Sequence, residues 1–391
     1  MRFAVIYPLI AAFVILRLIW PAFKTRRTRI ALIALLVPGA LFPAVARFIG
    51  GSMVAPVLPQ PVMIIGGLLQ NFTFCLFALV LLREAASIPA RIAGLPLPWL
   101  GRCRPLSAAL IVIAAAASIY GTWQATQALA VRDVTIPVRG LDARLEGLTI
   151  VQLSDLHVSS AFGRERVERV VETVNALKPD LIAVTGDFVD GTVPERGEDL
   201  RPLSRLSAPL GVWGCEGNHE HYVDYEGWRE FLPRLGIRML FNEHETIDVR
   251  GTRMVVAGLT DPMGALRYGR EAPDSAKAFA GAPRDAFRLL LLHQPKFAPR
   301  VEGRADLILS GHTHGGQVFL LYPVASKLNN GFVSGLYSIA GGVEVYVNAG
   351  TDVWNGFLLR LGTIGEITRI TLVRAPQAPD AQAEAAAKES P

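Results

Sequence analysis

Residues 148–157 read Leu-Thr-Ile-Val-Gln-Leu-Ser-Asp-Leu-His, an apolar run of strand length that breaks straight into a carboxylate and an imidazole. The pattern recurs along the chain. Leu181–Thr185 runs into Gly186-Asp187-Phe188-Val189-Asp190, and Val212–Cys215 into Gly217-Asn218-His219-Glu220. Leu289–Leu292 then runs into His293, and Leu307–Leu309 into Gly311-His312-Thr313-His314-Gly315-Gly316-Gln317. In an open α/β sheet the loops at the carboxyl ends of the strands converge on one crevice, so clusters far apart in sequence can meet in space. Further strand-like runs lie at Met254–Leu259, Glu344–Val347 and Ile367–Val373, and Arg164–Leu177 repeats Val167, Val170, Val171, Val174 and Leu177 as one helical stripe. Strands that first alternate with a helix and then follow one another predict an α/β core of two packed sheets. This domain is expected over residues 131–374, followed by a tail, 375–391, whose Ala, Pro, Glu and Gln content reads as disordered.

The strand ends carry ligand chemistry. All seven histidines (157, 219, 221, 244, 293, 312 and 314) fall in this domain. Asp155, His157, Asp187, Asn218, His293, His312 and His314 are candidate ligands, a mixture of imidazole, carboxylate and one amide oxygen that suits Mn²⁺, Fe or Zn²⁺ better than Ca²⁺. Seven donors exceed what one ion takes, so two ions about 3.5–4 Å apart and sharing a carboxylate are expected. Such a pair clamps a phosphoryl oxygen, provides hydroxide near neutral pH and stabilises an in-line displacement. Burying so many ionisable groups with no metal would be costly. Asp190 reads as orienting a ligand imidazole. His221 and His244 read as ordinary surface or loop histidines, and Asp261 follows a strand without surroundings that give it a role.

Upstream, the composition is that of a membrane protein. The 391 residues are 51% hydrophobic, with a mean hydropathy of +0.34. Residues 1–130 hold ten Arg and Lys24 against one acid, Glu84, whereas the remainder is mildly acidic. The basic pI therefore belongs to the apolar third, which argues against a nucleic-acid surface on the globular part. Apolar stretches at about 3–23, 30–50, 61–82 and 107–130 are each long enough to cross about 30 Å of hydrocarbon. Lys24, Arg26, Arg27 and Arg29 follow the first stretch; Arg83, Arg91, Arg102 and Arg104 follow the third; residues 51–60 carry no charge. The positive-inside rule then places both basic loops in the cytoplasm and both the N-terminus and the polar domain outside it. Two competing readings are a re-entrant second stretch, which contains Pro38, Pro43 and Arg47, and a twin-arginine export signal at Thr25-Arg26-Arg27. A tether of about 17 residues, part of it strand-like over Val131–Val138, is expected between the last crossing and the first core strand.

Taken together, Asp155-x-His157, Gly186-Asp187-x-x-Asp190, Gly217-Asn218-His219-Glu220, the lone His293 and Gly311-His312-Thr313-His314 resemble the calcineurin-like metallophosphoesterases, and among them the bacterial membrane-associated branch that carries GHTHGGQ. The resemblance spans about residues 147–373. It implies a four-layer α/β/β/α sandwich, here preceded by a four-helix transmembrane region. It also implies that Asp155, His157 and His314 hold one ion, that Asp187 bridges, that Asn218, His293 and His312 hold the second, and that His219 is the catalytic residue that protonates the leaving group or contacts the phosphoryl oxygen. Where that branch has a Ser-Arg-Gly turn this chain has Asn348-Ala349-Gly350, so an arginine is missing on the substrate side. The function implied is hydrolysis of a phosphodiester, pyrophosphate or phosphomonoester of a lipid or envelope substrate, at the outer face of a bacterial inner membrane. Two other classes stay open: a non-catalytic metal-binding membrane sensor, and a transporter with an appended hydrolase. Against the transporter, Arg17 and Arg47 are the only charges within the proposed crossings.

Overall fold

The chain is described by a computed structural model covering residues 2–94, 103–301 and 303–376. Arg102 of the second basic loop and tail residues 377–391 lie outside the described residues. Twelve strands are described: β1 (Ala130–Val138), β2 (Thr149–Leu153), β3 (Leu181–Thr185), β4 (Val212–Cys215), β5 (Ile237–Met239), β6 (Glu243–Val249), β7 (Thr252–Gly258), β8 (Phe287–Leu291), β9 (Leu307–Ser310), β10 (Gly335–Ile339), β11 (Val343–Val347) and β12 (Glu366–Arg374). They form two six-stranded sheets, ordered β1-β12-β2-β3-β4-β5 and β10-β11-β9-β8-β7-β6. The central pairs β2–β3, β3–β4, β7–β8 and β8–β9 are parallel. Parallel strands are covered on both faces, which is why β3 is apolar at four successive positions and buried throughout.

The sheets pack face to face through Ile150, Leu181, Ala183 and Trp213 on one side and Val256, Leu289, Leu291 and Leu309 on the other. The helix Arg164–Ala176 buries Val167, Val170, Val171 and Val174 on the outer face of the first sheet, beside Trp228 and Leu232 of the helix Tyr225–Arg234. The outer face of the second sheet is covered more thinly, by Ala278 and by the helical turn Pro295–Val301. The order is thus helices, sheet, sheet, helical cover.

Before these sheets come, among the described residues, four helices long and apolar enough to cross a membrane: Ala4–Ala22, Arg26–Phe48, Gln60–Ala86 and Arg104–Thr126. The second is one continuous helix through Pro38 and Pro43. Arg17 inside the first span pairs with Glu84, and Arg83 donates to the Arg17 carbonyl and to Glu84, both at 2.7 Å, so the charge is compensated locally.

The tether differs from expectation. The fourth span ends at Thr126 and β1 begins at Ala130, leaving only Gln127, Ala128 and Leu129 between them. Val131–Val138 belongs to the sheet, paired in parallel with β12 along its whole length.

The loop Val353–Leu361 lodges in the helix bundle. Leu358 packs in a cluster with Phe42, Met63 and Ala125, and the Phe357 ring meets Phe74 edge-on at 5.1 Å. Gln70 Nε2 donates to the Gly356 carbonyl at 2.9 Å and Asn71 Nδ2 to the Leu358 carbonyl at 2.6 Å, while the Arg360 amide donates to the Gly121 carbonyl at 2.9 Å. Irregular backbone inside a bundle must find protein partners, and these polar side chains on otherwise apolar helices supply them. Closer to the site, Trp354 Nε1 donates to the Val54 carbonyl at 3.3 Å and Ser160 Oγ to the Pro56 carbonyl at 2.7 Å, so the loop between the second and third spans also touches the sandwich.

Candidate metal centre

Cross-sheet hydrogen bonds gather the strand ends. Gln152 of β2 donates to the Ser310 carbonyl of β9 at 2.9 Å, and His293, two residues past β8, donates through Nδ1 to the Thr185 carbonyl of β3 at 2.7 Å. All seven ligand candidates and His219 meet there. Asp155, His157 and His314 form one group, Asp187, His293 and His312 a second, and Asp187 also groups with His157 and His219; within each group the donor atoms lie within 4.8 Å of one another. Asn218 Oδ1 is 3.2 Å from His293 Nε2.

Backbone strain marks the same place. Asp155 (φ 53°), His157 (41°), Asp187 (55°), His312 (71°) and His314 (49°) all occupy the left-handed region that non-glycine residues rarely adopt. Strain of this kind persists where the surroundings fix the backbone, and here it turns side chains from both sheets toward one point. Gly217 carries no Cβ because one would collide with Oδ1 and the amide of Asp187.

The imidazoles are aimed by their second nitrogens. With Nδ1 of His293 on Thr185 and Nδ1 of His314 on the Asp352 carbonyl at 3.1 Å, each Nε2 is left for a ligand. His157 Nε2 and His314 Nε2 lie 3.3 Å apart, directed at the same space. Asp187 Oδ2 is 3.2 Å from His293 Nε2 and 3.7 Å from His157 Nε2, between the two groups. Asp190 accepts from Nδ1 of His157 at 3.3 Å and from Nδ1 of His219 at 2.5 Å.

Electrostatics favours a cation. Burial opposes charge on His157, yet the Asp190, Asp187 and Asp155 carboxylates outweigh it and push the imidazole up to about 9. Asp187 stays well below the usual carboxylate range despite burial, because His293, His219 and His157 face it. His312 and His314, chiefly through burial, are pushed down to about 3 and about 4 and remain neutral donors. Among the described residues no Lys or Arg forms an ion pair with Asp155 or Asp187. Buried carboxylates without a basic partner, beside imidazoles already engaged at their other nitrogen, fit divalent metal ions.

The family model for calcineurin-like phosphoesterases matches residues 148–316, a stretch that includes every one of these ligand candidates. A bovine "transmembrane protein with metallophosphoesterase domain" is 36% identical over 309 residues, covering 75% of this chain and 69% of its own length. The chain belongs to the calcineurin-like phosphoesterase family. Coverage of 75% is more than the chain contains from Ala130 onward, so the likeness of this metallophosphoesterase to its bovine relative reaches into the helical region. The Danio rerio protein of the same description is 38% identical over 274 residues, 68% of this chain, and the chain spans 62% of that protein's length. A metallophosphoesterase of Aquifex aeolicus is 30% identical over 247 residues, 63% of this chain and 93% of its own. Among solved structures, a 5'-nucleotidase precursor from Thermus thermophilus covers 57% of this chain and 54% of its own, at 18% identity and a TM-score of 0.38.

Several residues around the centre carry functions that their sequence context did not announce. Glu220, in the same motif as His219, accepts from the amides of Asp187 (3.0 Å), Phe188 (2.7 Å) and Gly217 (2.7 Å), clamping two ligand loops together. Burial, with the nearby Asp187 charge, pushes it up to about 7. Arg360 is fully buried and donates to the carbonyls of Ala349, Gly350 and Asp352, each at 2.9 Å, so an arginine does serve the Asn348-Ala349-Gly350 turn, through its backbone. Asp352 pairs through its carboxylate with buried Arg166.

His221 is not a surface histidine: it is buried, 2.9 Å from Glu216 Oε1, with Arg270 on its other nitrogen at 3.1 Å and Tyr225 stacked at 4.5 Å. His244 is half-buried in β6 and bonds the Ala278 carbonyl. Asp261 caps the helix Pro262–Tyr268 through the Met263 amide and accepts from Gln294.

Proposed function

We propose that this metallophosphoesterase is a membrane-anchored hydrolase that works with two divalent ions on phosphoesters carried by lipids or other envelope components. The observation that supports two ions is the position of Asp187 between two groups of donors. Asp155, His157 and His314 would hold one ion, Asn218, His293 and His312 the other, with Asp187 shared. Mn, Fe or Zn suits that donor set. When bound, such ions clamp phosphoryl oxygens and lower the pKa of water.

The chain's own side chains do the rest. Asp190 holds His219 through Nδ1, which leaves Nε2 to carry a proton toward the leaving oxygen. The His219 side chain is only 11% exposed, packed against His157 and Tyr222, so its orientation is fixed before substrate arrives. Purified full-length protein should lose turnover of a nitrophenyl phosphodiester on chelation and regain it with Mn²⁺. Fewer than one transition-metal ion per chain after reconstitution would count against the two-ion centre.

The membrane-borne substrate is supported by how little separates the site from the spans: three linking residues and a loop lodged among the helices. A hydrolase held so close to a bilayer meets head groups at high effective concentration, whereas a freely diffusing ester gains nothing. The two basic loops favour an arrangement with the catalytic domain outside the cytoplasm of a bacterial inner membrane. The measurement that decides the substrate compares rates on vesicle-borne phosphodiester lipid with rates on the soluble diester; activity on the soluble ester alone would remove the lipid assignment.

A further inference from the structure

Directly after the Gly311–Gln317 motif the chain forms an apolar helical segment, Phe319–Leu328, in which no side chain is buried. Phe319 is 62% exposed, Val324 55% and Leu328 68%. Leu320, Tyr322 and Pro323 are exposed as well, and Leu336 and Ile364 add to the exposed apolar surface of this part of the chain. Exposure of this extent matches that of lipid-facing positions in the spans, Leu9 at 65% and Val112 at 67%. In water a contiguous apolar face of this kind has no stabilising partner.

The level of the segment follows from its neighbours. Phe319 donates its amide to the Leu361 carbonyl at 2.8 Å, and Val318 and Leu361 form a β-bridge. Leu361 in turn lies against Gly121 of the fourth span. Val318, Leu321 and Leu361 belong to the same apolar cluster as Leu18, Leu36 and Leu76 of the bundle. Gly121 lies about 8 Å along its helix from the end at Thr126, which brings it to the edge of the hydrocarbon for a span that starts at the membrane surface. The only ionic side chain in the segment, Lys327, sits in the last turn, where a long stem can reach back to head groups.

We infer that Phe319–Leu328 enters the bilayer as a non-spanning wedge in the leaflet on the catalytic side, with acyl chains covering its exposed face. The inference rests on the membrane reading above. Gln317, two residues before the wedge, donates to the Phe357 carbonyl within the lodged loop at 2.6 Å, which ties the base of the wedge, three residues from His314, to the same loop.

The test uses full-length protein in lipid nanodiscs with an environment-sensitive fluorophore on single cysteines. Cys103→Ser removes the one partly exposed thiol, Cys75 and Cys215 being buried. Labels at Leu320→Cys, Val324→Cys and Leu328→Cys should be quenched by lipids brominated on their acyl chains to the same extent as a label at Leu9→Cys, and shielded from iodide. A label at Arg284→Cys, on the exposed surface of the sandwich, should show the reverse. Iodide quenching at the three wedge positions would overturn the inference, and so would protection from both quenchers, which would mean that protein covers the face. Failure here is separable from failure of the proposed activity: a lipid-quenched wedge in a chain that hydrolyses no phosphoester leaves the wedge standing, and an active enzyme with a wet wedge leaves the activity standing.

Discussion

Asp187 and His219 lie side by side in the crevice, joined by the His219 amide donating to Asp187 Oδ1 at 2.8 Å, yet they should fail differently. On the proposed two-ion reading, Asp187→Asn weakens the carboxylate that lies between His157 and His293, and metal analysis should find both ions depleted. His219→Ala should keep its metal and slow turnover by roughly 10²–10⁴, the range for losing a general acid. The loss should be smaller with nitrophenolate as leaving group than with an alkoxide; equal losses would point instead to charge stabilisation by the imidazole. These residues were legible because each donor stands within a few positions of a strand end, and strand ends can be read from apolar runs. Glu220, Asp352 and Arg360 were not legible as parts of the centre. Their bonds run through backbone amides and carbonyls, and such partners exist only after the loops have met.

Among elements, the buried parallel strands β2, β3, β4, β8 and β9 declared themselves as apolar runs, whereas β5, β6 and β10 did not. β5 has three residues, and β6 and β10 are edge strands with a single buried side chain between them, Val249, so they lack the apolar runs that mark the central strands. The lodging of Val353–Leu361 in the bundle was equally hidden, although Gln70, Asn71 and Thr122, polar within long apolar helices, are its imprint. Asn71→Leu should leave the Leu358 carbonyl unpaired at depth and cost about 1–3 kcal/mol. The measurable outcome is earlier proteolytic cutting of the 353–361 loop in detergent-solubilised protein, with the metal content unchanged at the outset. Protection equal to wild type would show that the loop does not depend on this bond.

For the molecule as a whole, the two basic loops set the expected orientation. A reporter active only outside the cytoplasm, fused after Pro376, should be active if the basic loops face the cytoplasm; a signal from a cytoplasm-only reporter at that site would invert the assignment. The order of the first sheet adds a constraint of a different kind. β12, made last, lies between β1 and β2, made first, and pairs with both, in parallel with β1 and antiparallel with β2. While the ribosome is still producing residues 150–365, β1 has no partner strand and hangs directly from the fourth span, and β2 lacks one of its two neighbours. Closing the sheet therefore waits for nearly complete synthesis, through contacts of the longest sequence separation the domain contains. During that interval the nascent domain presents two open strand edges beside the membrane, a period in which a chaperone on that side of the bilayer would find its substrate.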